Sequence, residues 1–243
     1  MTYCLALRLN DGLVFLADTR TNAGVDNVGT YRKMHVFQPA PDRLFVLESA
    51  GNLATTQQVL DYVARDIAAG EGTESLATVK HLFEAAIYLG RLSQQVVNEH
   101  RAAFVNPADA TTTFIVGGQI AGAEPDILMV YPEGNYVPAS EERPFLQIGE
   151  LKYGKFLLEV AVRAHVDVDT ATKIAMGSMM ATATANLSVG PPYDVAIYEP
   201  NSFRLEQFRV EADSPLIEEL RAVWEKHLFA LISDLPGVWP GVL

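Results

Sequence analysis

Four short apolar runs joined by turns open the chain before any stretch with helical spacing occurs. Tyr3 to Leu9 alternates loosely, Asn10-Asp11-Gly12 makes a tight turn, and Leu13 to Ala17 returns as a second run. Asp-Gly between two such runs signals a hairpin, because its backbone accepts the twist that a two-residue connection needs. Lys33–Phe37 and Arg43–Leu47 repeat the pattern around Gln38-Pro39-Ala40-Pro41-Asp42, and residues 20–30 carry turn residues throughout and read as a loop. Strands this closely linked must pair antiparallel, since parallel neighbours need a crossover of a dozen or more residues.

Two long helices are predicted next, from about Leu53 to Ala69 and from about Leu76 to Ala103, with Gly70-Glu71-Gly72 between them. Val59, Leu60, Val63 and Ile67 give the first its apolar face, and Leu82, Ala85, Ala86, Leu89, Leu92 and Val96 the second. Strands are expected again at Thr111–Gly117, Ile127–Tyr131, Tyr136–Pro138 and Phe145–Ile148. Helices follow at about Tyr153–Ala164 and Thr170–Leu187, the latter behind Asp167-Val168-Asp169 as a capping region. A hairpin of Tyr193–Tyr198 and Phe203–Val210, a helix from Pro215 to about Ile232 and a Pro/Gly-rich tail over 236–243 complete the order. Runs of hairpin-linked strands alternating with helix pairs point to the α+β class, with antiparallel sheets covered by helices. No repeat or flexible linker interrupts the 243 residues, so 1–243 reads as a single domain.

Composition removes several functions. Thirty acidic residues against 18 basic give a formal charge of −12, which leaves no basic footprint for nucleic acid or an anionic membrane. One cysteine excludes an intramolecular disulfide framework and a Cys-based zinc site. No apolar run approaches the roughly 20 residues that span a bilayer. The opening MTYCLALRLNDG has no basic start and no small-residue cleavage site, so no signal peptide is expected and the chain reads as cytoplasmic.

Standard motifs are also weak. Gly149-Glu-Leu-Lys-Tyr-Gly154-Lys155-Phe156 fits G-x-x-x-x-G-K, but Phe156 stands where a Mg²⁺-ligating Ser or Thr is needed and Glu150 would repel phosphate. It reads as an ordinary strand-to-helix turn, with nucleotide binding as the rival. His35, His81, His100, His165 and His227 are scattered, with no zinc-ligand spacing. Gly177-Ser178 lies within a helix and is no nucleophile elbow. Asp167 and Asp169 suit a helix start better than a metal, and Cys4 alternates into an apolar strand as a small core residue. No cofactor and no metal are expected.

The N-terminus remains. Thr2 follows the initiator Met, and a small second residue permits removal of Met1. A threonine hydroxyl needs a base within hydrogen-bond reach, and its own α-amine can serve. With a reference pKa of about 7.7–8, that amine keeps a useful neutral fraction near pH 7, and a nearby ammonium would lower it further. Asp18 and Arg20 close the second strand in Ala17-Asp18-Thr19-Arg20, and Lys33 begins the third.

MTYCLALRLNDGLVFLADTRTNAG…YRKMHVF resembles the opening of proteasome β-type peptidases, where a strand headed by Thr precedes a strand ending in A-D-x-R and then a Lys. It is most similar to their bacterial relatives called ancestral beta subunit, or Anbu. Ser49-Ala50-Gly51-Asn52, Ile148–Lys155 and Asn186-Leu187-Ser188-Val189-Gly190-Pro191-Pro192 extend the likeness over almost the whole chain. The resemblance implies the N-terminal nucleophile hydrolase fold, a four-layer αββα sandwich of two antiparallel sheets. It implies Thr2 as nucleophile with its amine as base, Lys33 tuning that amine, and Asp18 holding Lys33 charged. It also implies the Gly51 N–H as oxyanion donor, Thr21 and Ser49 lining the substrate strand or first specificity pocket, and Ser188 relaying a proton near the amine. Two departures stand out. Ala185 and Asn186 occupy the positions where an Asp is usual, and Gly149-Glu150 replaces a Gly-Ser-Gly type turn, with Glu150 a candidate substitute in the relay. The implied activity is threonine-type peptide or amide hydrolysis by a homo-oligomeric ring or open ring. The alternatives are a non-catalytic ring-forming subunit and a small-amide hydrolase. The residues name neither the substrate nor an ATP-driven unfoldase partner.

Overall fold

The computed structural model describes residues 2–22, 28–70, 72–100 and 110–237; Met1, 23–27, Glu71, the end of the second expected helix at 101–103 and the tail over 238–243 lie outside the described residues. The opening hairpin is present as β1 (Tyr3–Leu9) and β2 (Gly12–Asp18), paired antiparallel with Cys4 opposite Ala17. Their alternation divides the side chains into two sets. Tyr3, Leu5, Leu7, Val14 and Leu16 belong to one apolar cluster, and Cys4, Ala6, Leu13, Phe15 and Ala17 to another. Both faces of this ribbon are therefore buried, which explains why the period-two signal in the sequence is loose.

A five-stranded sheet in the order β10-β1-β2-β11-β12 grows around the hairpin, with β10 at Phe145–Gly149, β11 at Tyr193–Tyr198 and β12 at Leu205–Val210. A second five-stranded sheet runs β5-β6-β7-β8-β9, built from Met34–Ala40, Arg43–Gly51, Thr112–Ile120, Asp126–Val130 and Tyr136–Pro138. Every pairing in both sheets is antiparallel. Phe45, Leu47, Phe114 and Val116 of the second sheet pack with α1 (Leu53–Ala69) and α2 (Leu82–His100). Leu44, Val46 and Ile115 turn to the first sheet and meet Cys4, Ala6 and Phe15. The far face of the first sheet packs on α3 (Lys152–Ala161) and α4 (Val168–Ala185), through Leu158, Ala171, Ala175 and Met179.

Caps fix two helix starts. Asn52 accepts from the Thr55 N–H at 3.0 Å, and Asp167 from the Thr170 N–H at 2.9 Å, so Asp167 serves the helix as expected. The last helix, α5 (Pro215–Asp234), has Ile217 as its buried residue and leaves Phe229, Leu231 and Ile232 exposed. Among the described residues, no helix is long and apolar enough to cross a membrane.

Three expectations need correction. Residues 20–30 are not wholly a loop: β3 (Arg20–Asn22) pairs with β4 (Val28–Thr30) in a short separate ribbon. The second helix begins at Leu82, not Leu76. Arg43 Nη1 takes the carbonyls of Ala77 and Val79, and Thr78 folds back on Ser75, so 75–81 is held as turns. Glu84 then caps the true start by accepting the Lys80 and His81 N–H groups. The last hairpin is shorter than expected, because Asn201 and Phe203 take positive φ and β12 starts only at Leu205.

Candidate active site

Thr2 immediately precedes β1, and the edge pairing of β1 with β10 sets Gly149 beside Tyr3. Glu150 N–H donates to the Thr2 carbonyl at 2.8 Å. Gly149 has φ +88°, and a Cβ there would sit 2.0 Å from the Thr2 oxygen, so only glycine lets the strand end close on Thr2. This is also what the Gly149–Lys155 stretch does in the fold: its backbone is engaged with Thr2.

Behind Thr2 lies a buried ion pair. Asp18 ends β2 and Lys33 precedes β5, and Lys33 Nζ meets Asp18 Oδ1 at 2.6 Å, with the carboxylate fully buried and the lysine nearly so. Asp18 Oδ1 also accepts the Tyr3 N–H at 2.9 Å, and Oδ2 the Gly190 N–H at 3.2 Å. Lys33 Nζ donates further to the Arg20 carbonyl at 2.7 Å. Burial pushes the Asp18 carboxyl up, while the Lys33 charge and the donors from Lys33, Tyr3 and Gly190 pull it back. The pair is thus well satisfied, as a desolvated ion pair must be to persist.

Thr2, Thr21, Lys33, Ser49 and Gly51 line one cavity of about 450 Å³, together with Tyr31, Arg32, Ala50, Leu53, Thr56 and Gly149. Gly51 ends β6 with φ +127°, where a Cβ would lie 2.4 Å from the Thr111 carbonyl. That backbone turns the strand into α1, and a positive φ there is open to glycine at little steric cost. Among the described residues, and apart from the paired Lys33, the lining holds one further cation, Arg32, and no carboxylate.

Of the residues singled out from the sequence, six lie together: five line the cavity and Asp18 stands directly behind it on Lys33. Ser188 does not line the cavity. Its N–H donates to Asn186 Oδ1 at 3.0 Å, and it sits in the turn that carries Gly190 to Asp18. Asn186 Nδ2 in turn donates to Glu150 Oε2 at 3.1 Å, so the two departing positions touch each other. Sequence reasoning missed the backbone donors at Tyr3 and Gly190 and the cavity residues Tyr31, Arg32, Leu53 and Thr56. Only Gly149 left a signal, as a glycine directly after an apolar strand. Cys4 is fully buried, its Sγ 3.8 Å from the Ser49 carbonyl. Among the described residues, no group of three or more His, Cys, Asp or Glu could hold a metal ion.

No protein-family model matches the chain, and no curated protein matches it. Solved structures do. Anbu (ancestral beta-subunit) from Yersinia bercovieri superposes with a TM-score of 0.91 at 38% identity, covering 98% of this chain and 99% of that one. A Gly-1 mutant of Anbu from Hyphomicrobium sp. strain MC1 gives 0.90 and 38%, over 98% of this chain and 100% of that one. A structure described as the helical assembly of the Anbu complex from Pseudomonas aeruginosa gives 0.91 and 36%, over 99% and 100%. The fold is therefore that of a proteasome-like, N-terminal-nucleophile-type subunit. Within that class, the chain belongs to the Anbu (ancestral beta-subunit) family.

Proposed function

We infer that this subunit is a threonine-type peptide or amide hydrolase whose nucleophile is the Thr2 hydroxyl. The observation that carries the reading is the shared cavity: Thr2, Lys33 and the turn at Gly51 face one space, with the buried Asp18 fixing the lysine from behind. In this reading Met1 is removed, the freed α-amine takes the hydroxyl proton, and Oγ1 attacks the scissile carbonyl. The Lys33 ammonium favours the neutral amine, and Asp18 keeps that ammonium in place. The Gly51 N–H stabilises the tetrahedral oxyanion, a contribution of about 3–4 kcal/mol for one such donor. Collapse passes that proton from the α-ammonium to the leaving nitrogen, expels the amine product and leaves an ester on Thr2, which water activated by the again neutral α-amine hydrolyses. The three stacked apolar clusters support the four-layer αββα arrangement, with the nucleophile at the mouth between the two sheets. The exposed apolar residues of α5 and the helical assembly of the Pseudomonas aeruginosa relative support an open oligomer of this chain.

A β-lactone probe tests the assignment. Intact mass is expected to show Met1 absent and one probe adduct per wild-type chain, with none on Thr2→Ala. Retention of Met1 in the assembled protein, or equal labelling of the alanine variant, would refute it.

A further inference from the structure

A second cavity, of about 210 Å³, lies where β11, the 187–192 turn and the start of α5 meet, lined by Arg20, Val189, Tyr193, Ile217, Glu218 and Arg221 among others. It shares no lining residue with the Thr2 cavity. Arg20 Nη1 donates to the Leu187 carbonyl at 3.0 Å and the Val189 carbonyl at 3.5 Å, and its other guanidinium nitrogens have no partner among the described residues. The guanidinium rests against Gly190, where a Cβ would come within 2.3 Å of Arg20 Cζ. Arg221 pairs with Glu218 at 3.0 Å, but both side chains are more than half exposed, so that pair is weak and open to exchange.

Tyr193 supplies a third donor. It is 2% exposed and lines the cavity, and its hydroxyl, which bonds no described residue, is not among the sealed-off polar atoms. A phenol tip open to a cavity can donate to whatever occupies it. Burial pushes this phenol up to about 12, with Asp18 adding to the rise and Arg20 and Arg221 opposing it. It is thus a neutral donor at physiological pH, in a lining it shares with both arginines. Ser214 makes no side-chain bond to the first turn of α5, so that uncapped, electropositive helix start borders the same space. Two arginines and a neutral hydroxyl converge as donors, and Val189 and Ile217 supply an apolar wall.

We propose that this cavity is a carboxylate-binding subsite, taking an acid with a short apolar body. Arg20 and Arg221 clamp the carboxylate, the Tyr193 hydroxyl donates to it, and the body lies on Val189 and Ile217. The volume suits the last residue of a peptide or a free short-chain acid, which share this chemistry. Binding does not require the hydrolytic reading to hold.

N-acetylalanine and isobutyrate, each beside its neutral amide, are titrated into the assembled full-length protein at constant ionic strength and followed by calorimetry. At least one acid is expected to bind saturably, one per chain, with its amide at least about tenfold weaker. Tyr193→Phe keeps the ring in the core and Arg221→Gln alters an exposed side chain; each is expected to weaken the acid by about tenfold or more. Saturable binding of N-acetylalanine supports the subsite with a peptide terminus as its source, and of isobutyrate alone with a free acid. Absence of saturable binding, amides that bind as well as acids, or affinity that survives either substitution would overturn the proposal.

Discussion

Replacing Lys33 with Met removes the ammonium from the Asp18 pair while keeping most of the side chain's volume, so little cavity forms. Asp18 keeps its two backbone donors, from Tyr3 and Gly190, and loses the 2.6 Å charge partner. Breaking a buried pair from one side typically costs about 3–5 kcal/mol, because the remaining charge is uncompensated. For a chain of this length, about 2–4 °C of melting temperature per kcal/mol makes that a fall of roughly 6–20 °C. The cost depends on pH with a definite sign. Burial already raises the Asp18 carboxyl above its ordinary 3.8, and losing the lysine raises it further. Between the unfolded and folded values the native state holds the extra proton, so stability falls as pH rises through that window. The Lys33→Met defect is therefore small near pH 4 and full at pH 8. Asp18→Asn in the same chain removes the orphaned charge and is expected to recover at least half of the loss. Scanning calorimetry at pH 5 and pH 8 reads this, at one protein concentration because assembly couples to melting. A single variant that melts within about 2 °C of wild type at pH 8, or a double variant no more stable than the single, would show that the pair carries no such desolvated charge.

Gly51→Ala is expected to destabilise by at least about 2 kcal/mol and to abolish probe labelling of Thr2, since φ is +127° and the new Cβ meets the Thr111 carbonyl; denaturant melts and labelling kinetics check both. Glu48 is fully buried between the sheets, its carboxylate oxygens have no hydrogen-bond partner among the described residues, and burial pushes its carboxyl well up. Wild-type stability should consequently fall as pH rises from the ordinary glutamate range through that raised value, and Glu48→Gln should flatten the profile; identical slopes for the two proteins from pH 4 to 9 would contradict the assignment.

What the sequence disclosed tracks how local each signal is. Asn10-Asp11-Gly12 betrays β1 and β2 because a two-residue turn leaves a two-residue signature, and Gly12 indeed takes φ +148°. The β3–β4 ribbon escaped because Arg20-Thr21-Asn22 has no apolar alternation and is too short for a period. Leu76 and Val79 mimicked a helix start because both are apolar at a spacing of three, yet it is Arg43, more than thirty residues earlier, that holds the Ala77 and Val79 carbonyls in turns. No propensity within 75–81 records that contact. The Asp18–Lys33 pair is likewise invisible to spacing: fifteen residues separate two charges at strand ends, where solvated side chains are usual. Family likeness suggested the partnership, and the fold supplies the reason for it, since β2 delivers Asp18 to a buried site that Lys33 must enter to neutralise.

The two positions at which the chain departs from the proteasome pattern are joined in space. Glu150 donates its N–H to the Thr2 carbonyl and accepts from Asn186, which in turn accepts from the Ser188 N–H. Its other carboxylate oxygen accepts the Lys152 N–H at the start of α3. A carboxylate so engaged ties three things together: the strand end that fixes Thr2, the first turn of α3, and the turn after α4 that gives Gly190 to Asp18. An amide at 186 suits this better than an acid would, because it must donate to Glu150 and accept from Ser188 at once. An aspartate there, ionised, would have faced the Glu150 carboxylate with like charge. Substitution at one position thus constrains the other: with Glu150 in the turn, Asn186 is the small residue that keeps both hydrogen bonds, and the backbone donors around Asp18 stay in register with Thr2.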